Sequence, residues 1–415
     1  MKKRVIVIGA GASGLMAAGA AAQSGAEVLM IERNERVARK VMITGKGRCN
    51  VTNNCNLLNE LIDNVPTNGR FLYSAFTRFM PSDTMDFFEN EGVELKVERG
   101  ERVFPVSDKA ADIVDALENY ARRSGAGRIH GRVTELITED GAVKGVRLED
   151  GSEHFADSVI VCTGGKSYPL TGSTGDGYDL ARSVGHTVTA LRPSLCPLIC
   201  HEGWCSDAQG LSLRNVAVTV REKESYKEVY RDFGEMLFTH FGVSGPIILS
   251  ASAHMRDLGE KKYEIYIDLK PALSFEQLDK RVQSDFLEFA NKNFINSLGK
   301  LLPQKLIPII VKLSGIKNTT KTNQITREQR HRLVNLLKEL KITAVDFSPI
   351  EEAIVTSGGV LVSEINPKTM ESKLVKGLYF AGELIDVDAY TGGFNLQIAW
   401  ATGRAAGFAA AENET

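Results

Sequence analysis

The period of the hydrophobic positions changes several times along the chain. Arg4–Ile8 is an unbroken β-branched run of the kind that fills a central parallel strand buried on both faces. Leu15 to Ser24 is Ala-rich and predicts a helix closed by Gly25, and Glu27–Glu32 returns as a second strand. Ile129–Leu136, Val143–Leu148 and Ser158–Thr163, with turns at Asp140-Gly141 and Asp150-Gly151, predict a β-meander and a returning strand. Val216–Val220 and Tyr263–Asp268 alternate as half-buried strands. A helical period then predicts Gln277–Phe294, Leu298–Leu313 and Arg327–Leu340, the last capped by Thr326. Near the end, a strand over Leu378–Ala381 precedes Gly392-Gly393, which opens a helix over Phe394–Ala411.

These elements predict an α/β fold. A discontinuous nucleotide-binding domain spans 1–192 and 350–415, interrupted by a β-rich, barrel-like insert (193–272 and 341–349) that carries a helical insert (273–340). A length of 415 residues accommodates this at ~100–200 residues per domain. Hydrophobic residues at 43% and charged residues at 25% exclude a disordered or fibrous chain. Met1-Lys2-Lys3-Arg4 before an apolar run imitates a secretory leader, but the glycines and Glu32 fit a strand–turn–helix unit better. No stretch of about 18 apolar residues suggests a membrane span, so the chain is read as cytoplasmic.

Chemistry concentrates first at Gly9-Ala10-Gly11-Ala12-Ser13-Gly14, a G-x-G-x-x-G between the first strand and helix. Gly9 permits the tight turn, Gly11 lets backbone approach a pyrophosphate, and Gly14 lets the helix lie close to the strand. The helix N-terminus offers free N–H groups to the phosphates. Glu32 ends the second strand, where a carboxylate accepts the hydroxyls of an adenosine ribose, which favours FAD or NAD over NADP. The meander crossover points to FAD and to a glutathione-reductase-type Rossmann-like domain. Thr163-Gly164-Gly165 follows the returning strand as a second FAD-contact motif. Gly382-Glu383 and Asp386 suit the ribityl–pyrophosphate stretch, and Gly393, Phe394 and Asn395 open a helix aimed at the flavin edge. Thr44, Gly45, Arg48, Cys49 and Asn50 lie where flavin-contact segments fall in such folds. Arg33, Val133 and Asp176 complete the candidate cofactor contacts. No second G-x-G-x-x-G unit serves a nicotinamide, which leaves NAD(P)H as a co-substrate met directly at the flavin.

For catalysis, His240 is a candidate base, Tyr390 a pocket-lining residue, and Arg48 a partner for a phosphate or an anionic substrate. Cys49 and Cys55 have C-x5-C spacing, which does not match a redox dithiol of the flavin disulfide reductases. Cys196, Cys200, Cys205 and His201 lack the spacing of a zinc site, and no metal is expected. The net charge of −2 hides an asymmetry: Lys292 to Lys341 holds eleven basic residues against Glu328 and Glu339. A solvated helix face accounts for this; RNA is the alternative partner, although Phe294 is the one aromatic available for stacking. Nothing in the sequence sets an oligomeric state.

The N-terminal glycine motif, Ile43–Asn53, Gly234–Pro246, Thr369–Lys373 and Gly377–Asn395 together resemble the HI0933-like (YhiN-like, BaiN-like) NAD(P)/FAD-dependent oxidoreductases, to which aminoacetone oxidase also belongs. Lys46 departs from the pattern, since many relatives carry a third glycine there. The resemblance implies bound FAD and an insert covering it. The reaction it implies is hydride transfer between flavin and a small organic substrate, with NAD(P)H or O2 as electron partner. An aminoacetone-like amine oxidase and an RNA-associated flavoprotein stay as alternatives.

Overall fold

The computed structural model describes residues 2–255 and 258–412. The chain divides into two compact units, one of residues 1–194 and 350–415 and one of residues 195–349.

In the first unit, β1 (Arg4–Ile8) pairs in parallel with β2 (Glu27–Glu32) on one side and with strand Ser158–Val161 on the other. Leu378–Phe380 and Gly127–His130 extend the two edges, giving a five-stranded parallel sheet. Its central strands read as apolar runs because they are buried, packed by helices Ala12–Gln23 and Phe394–Ala411 and by strand Ala142–Leu148. Helix α1 (Ala12–Gln23) and the C-terminal helix Phe394–Ala411 pack against each other and both against this sheet, and both are buried around most of their circumference. Their many Ala and Gly residues follow from that closeness: a Cβ on Gly403 would lie 2.3 Å from the Ser13 carbonyl oxygen, and one on Gly407 2.3 Å from that of Ala17. The N-terminal apolar run is therefore core packing.

The predicted strand 129–136 serves two sheets. Gly127–His130 belongs to the parallel sheet, whereas Val133–Glu139 begins the antiparallel meander with Ala142–Leu148 and Glu153–Phe155. Gly131 marks the break; a Cβ there would run into Leu148 at 2.3 Å. Arg192–Ser194 and Val355–Ser357 pair where the chain leaves and re-enters the unit.

The second unit is a closed six-stranded barrel whose order is Leu198–Cys200, Gly242–Ser244, Glu228–Phe238, Ser212–Glu222, Tyr263–Asp268 and Leu340–Phe347. Helices Phe275–Glu288, Ile307–Ser314 and Arg327–Lys338 share one hydrophobic core with it, in which Leu278, Val282 and Leu333 join Val218 and Ile265. The expected long helix over 298–313 is replaced by a short turn and a helix starting at Ile307. Pro303 and Pro308 cannot donate the backbone hydrogen bonds that a continuous helix needs. Thr326 caps the last helix as expected, its hydroxyl accepting from Gln329 N at 3.2 Å while Gln329 returns a bond to Thr326 N.

Among the described residues no helix is long and apolar enough to cross a membrane.

Candidate functional site

The β1–α1 turn is built by backbone demands. Gly9 N donates to Ile31 O at 2.8 Å, and Gly9 adopts φ +91° with the Cys162 carbonyl 2.8 Å from where a Cβ would stand. Gly14 is held by contact, since its Cβ would fall 1.9 Å from Gly9 O. Gly11 differs from both. Its backbone is ordinary extended chain (φ −83°), and a Cβ there would meet no protein atom within 4 Å. No protein contact therefore demands a glycine, whereas a ligand backed onto the turn would. Helix α1 also starts with no side-chain cap, leaving first-turn N–H groups directed at the same region.

Glu32 is buried at the end of β2, and its carboxylate does more than wait for a ribose. Oε2 accepts from Ala10 N at 2.8 Å, while Oε1 accepts from Asn34 N and Asn34 Nδ2 at 2.8 and 2.9 Å. It thereby pins the glycine turn to the second strand, with acceptor capacity remaining chiefly on Oε2. Arg33 and Asp176 hold each other: Arg33 Nη1 lies 3.0 Å from Asp176, which Arg132 also grips at 2.8 Å. Burial works against the Asp176 charge, but the hydrogen bonds from Arg132 and Thr174 outweigh it and hold the carboxyl below its usual range. Val133 is buried at the start of the meander. Thr163 Oγ1, in the turn after Ser158–Val161, is a buried hydroxyl with no hydrogen-bond partner among the described residues.

Glu383 is the centre of a cluster that sequence reasoning saw only in part. Its carboxylate accepts from Lys40 Nζ at 2.7 Å, Thr356 N at 2.8 Å and Ser167 Oγ at 3.2 Å, and Lys40 also donates to Ser167 at 2.6 Å. Gly165 lies against it, with room for no side chain: a Cβ would be 2.7 Å from Glu383 Oε1. Gly382 in turn abuts Ser13, and Gly382 N donates to Thr402 Oγ1 at 3.0 Å. Lys40 lies in the short helix Arg39–Ile43, Thr356 in strand Val355–Ser357 and Ser167 in a loop, none with a motif around it; only the charge of Lys40 within eight residues of Glu32 offered a signal.

The loops 44–53 and 389–395 are stitched together. Asn50 accepts from Gly393 N at 2.9 Å and donates to Val103 O at 3.1 Å, and Asn53 Nδ2 donates to Gly392 O at 3.2 Å. Asn395 closes its own loop through Ala389 N and O at 2.9 and 2.8 Å. Phe394 is buried beside them, and the helix that it opens has no side-chain cap. Thr44 Oγ1 donates to Val41 O at 2.7 Å, and Gly45 and Lys46 both adopt left-handed backbone, a conformation a third glycine would enter without strain. Asp386 is buried, its carbonyl accepting from Asn68 at 2.7 Å. Asp388, absent from the sequence reading, is buried and accepts from Ser194 and Ser357, both at 2.9 Å.

One expectation changes. Arg48 is not held in reserve for a phosphate: it pairs with Glu98 and Asp108 and lies over the Phe104 ring at 4.2 Å, anchoring loop 44–49 to strands Leu95–Glu98 and Arg102–Pro105. Cys49 is fully buried with its thiol pushed up to about 12 by burial, so it supports the loop by packing and is not a reactive thiolate. Tyr390 is half-buried in the first unit, with Asn64 O accepting from its N at 3.0 Å. His240 belongs to the second unit, exposed between two barrel strands and edge-on to Phe241 at 4.9 Å. The hydrogen bond with the adjacent Cys205 thiol, and then burial, hold Cys200 far above the usual thiol range, and no group of metal-binding side chains occurs among the described residues.

The residues present fit an FAD in the first unit. The open space at Gly11, the uncapped starts of two helices, a buried carboxylate with spare acceptor capacity and the unpaired Thr163 hydroxyl are the donor and acceptor set a dinucleotide uses.

The family model described as HI0933-like protein Rossmann domain matches residues 3–409. A 3-dehydro-bile acid delta(4,6)-reductase from Clostridium scindens is 34% identical over 99% of both chains. A ribosomal RNA dihydrouridine synthase from Escherichia coli is 30% identical over 96% of this chain and 95% of the relative. Among solved structures, the open conformation of a flavocytochrome c3 fumarate reductase superposes with a TM-score of 0.55 at 18% identity, covering 99% of this chain and 78% of that one, a likeness of fold. The chain belongs to the HI0933-like family and is an FAD-dependent oxidoreductase.

Proposed function

We propose that the protein reduces a carbon–carbon double bond conjugated to a carbonyl group. The observation that carries this reading is what two of the full-length relatives have in common. A delta(4,6)-reductase acting on a 3-dehydro steroid and a synthase making dihydrouridine both saturate a ring C=C in conjugation with C=O. In such a reaction a hydride adds to the β-carbon and a proton to the α-carbon, so the substrate gains two electrons and two hydrogens. FAD, when bound and reduced, would supply the hydride and be left oxidised; we assign its re-reduction to NAD(P)H.

The chain's own residues would bind, orient and charge-balance. Gly9, Gly11 and Gly14 with the start of α1 take the pyrophosphate, and Glu32 takes the ribose. Lys40, paired with Glu383, holds the Gly382–Glu383 turn in place. The uncapped start of helix Phe394–Ala411 directs positive dipole toward developing negative charge. Tyr390, in the same unit, is the candidate proton donor to the α-carbon.

The test is anaerobic. Holoenzyme reduced with dithionite is mixed with a 3-oxo-4,6-diene steroid, and flavin reoxidation is followed by absorbance with product analysis by mass spectrometry. Reoxidation with a gain of two mass units is expected. Reoxidation by oxygen alone, together with reduction of the oxidised enzyme by aminoacetone, would instead establish the amine oxidase alternative.

A second reading takes the conjugated bond to be a uracil in RNA. Lys300, Lys305, Arg330, Lys338 and Lys341 of the basic segment are engaged by Glu288, Gln209 O, Asp279, Asp268 and Glu264 respectively. Lys292, Lys317 and Lys321 are exposed on two segments joined by the Asn293–Lys321 bridge and by Thr322 N donating to Lys292 O at 3.2 Å. Reversing these three charges should abolish salt-sensitive retention on ribosomal RNA if that reading holds; retention unaltered by reversal, or absent in the unaltered protein, removes it.

A further inference from the structure

A second set of chemically matched side chains lies in the first unit outside the candidate cofactor residues. His186 is buried, following helix Asp176–Ser183. Its Nδ1 lies 3.1 Å from Glu364 Oε2 and its Nε2 2.7 Å from Ser372 Oγ. The order Ser–His–Glu is that of a hydrolytic triad, but Ser372 cannot serve as a nucleophile. Its oxygen already accepts from Leu374 N at 3.0 Å and Val375 N at 2.8 Å, and the residue is buried. With both lone pairs filled, the Ser372 hydroxyl has its proton left to give, and Nε2 is the acceptor it meets. That fixes the tautomer: Nε2 is bare, and Nδ1–H donates to Glu364, which also accepts from Thr187 N at 2.8 Å. A proton on Nε2 would face an oxygen with no lone pair to offer. Burial, outweighing the pull of Glu364, likewise holds His186 below the usual imidazole range.

What the array secures is the approach to the cofactor turn. Ser372 N donates to Leu378 O at 2.7 Å, and the imidazole stands edge-to-face on Phe380 at 4.8 Å. Leu378–Phe380 is the edge strand that runs directly into Gly382 and Glu383. Lys373 N donates to Glu364 O at 2.8 Å, so the two segments contributing Glu364 and Ser372 are also tied to each other.

We propose that Ser372, neutral His186 and Glu364 form a positioning array that sets strand Leu378–Phe380, and with it the Gly382–Glu383 turn, for binding FAD. These are positioning residues acting through that strand. The inference rests on the placement of FAD given above, and the experiment separates the two. FAD affinity of the apoprotein is measured by flavin fluorescence quenching for the unaltered chain, Ser372→Ala, His186→Phe and His186→Gln. Ser372→Ala and His186→Phe should raise the FAD Kd about tenfold or more, the consequence of a buried group left unpaired. His186→Gln, whose amide oxygen can accept from Ser372, should recover most of the affinity; a role in packing alone would favour Phe over Gln. If the unaltered chain binds FAD and all three variants bind it equally well, or Phe restores more than Gln, the array has no such role. If the unaltered chain does not bind FAD, the site placement itself is wrong. Should the variants fail to fold, 15N NMR of the histidine-labelled unaltered protein decides: a neutral, Nδ1-protonated His186 is expected at pH 7, and an imidazolium or the opposite tautomer overturns the proposal.

Discussion

At Gly11 the structure separates what the fold needs from what a ligand needs. A side chain there touches nothing in the protein, whereas one at Gly14 or Gly165 collides with backbone or carboxylate. Gly11→Asp should therefore fold, melt where the unaltered apoprotein melts, and purify colourless, because its carboxylate stands where the pyrophosphate belongs. A yellow Gly11→Asp protein, judged by the ratio of flavin to protein absorbance, would move the site elsewhere. Asp176 gives a prediction of another kind. Its carboxyl is held below the usual range in the folded chain, so its contribution is present above the unfolded pKa and lost as pH falls through the folded one. Asp176→Asn should cost about 1 kcal/mol in urea unfolding at pH 7, and the difference should shrink steadily below about pH 4.

At the scale of elements, helix Phe394–Ala411 was legible to its boundaries, because Gly392-Gly393 opens it and Ala and Gly run through it. Its partner was legible too, yet the reason for all those small residues was not. Gly403 and Gly407 are set by carbonyl oxygens of α1 nearly four hundred residues away in sequence, which no local pattern reports. Gly403→Val should consequently destabilise the first unit by about 3 kcal/mol in chemical denaturation. In the site, the glycines and Glu32 could be read from sequence since each answers to backbone geometry within one supersecondary unit. Lys40, Thr356 and Asp388 could not, because their partners arrive from other segments: Lys40 meets Glu383, and Asp388 meets Ser194 and Ser357. Arg48 was misread for the same reason. Its motif was recognised, but Glu98 and Asp108, which engage it, come from a separate strand and turn.

For the molecule as a whole, the first unit is the flavin holder, and the proposed reaction at that flavin is reduction of a conjugated double bond. Anaerobic titration of the purified yellow protein with NADH and then NADPH, followed through the flavin absorbance, tests this most directly. Bleaching at near-stoichiometric nucleotide is predicted, with colour restored by an enone. A flavin that neither nucleotide reduces, and that bleaches with a small amine, would contradict the account.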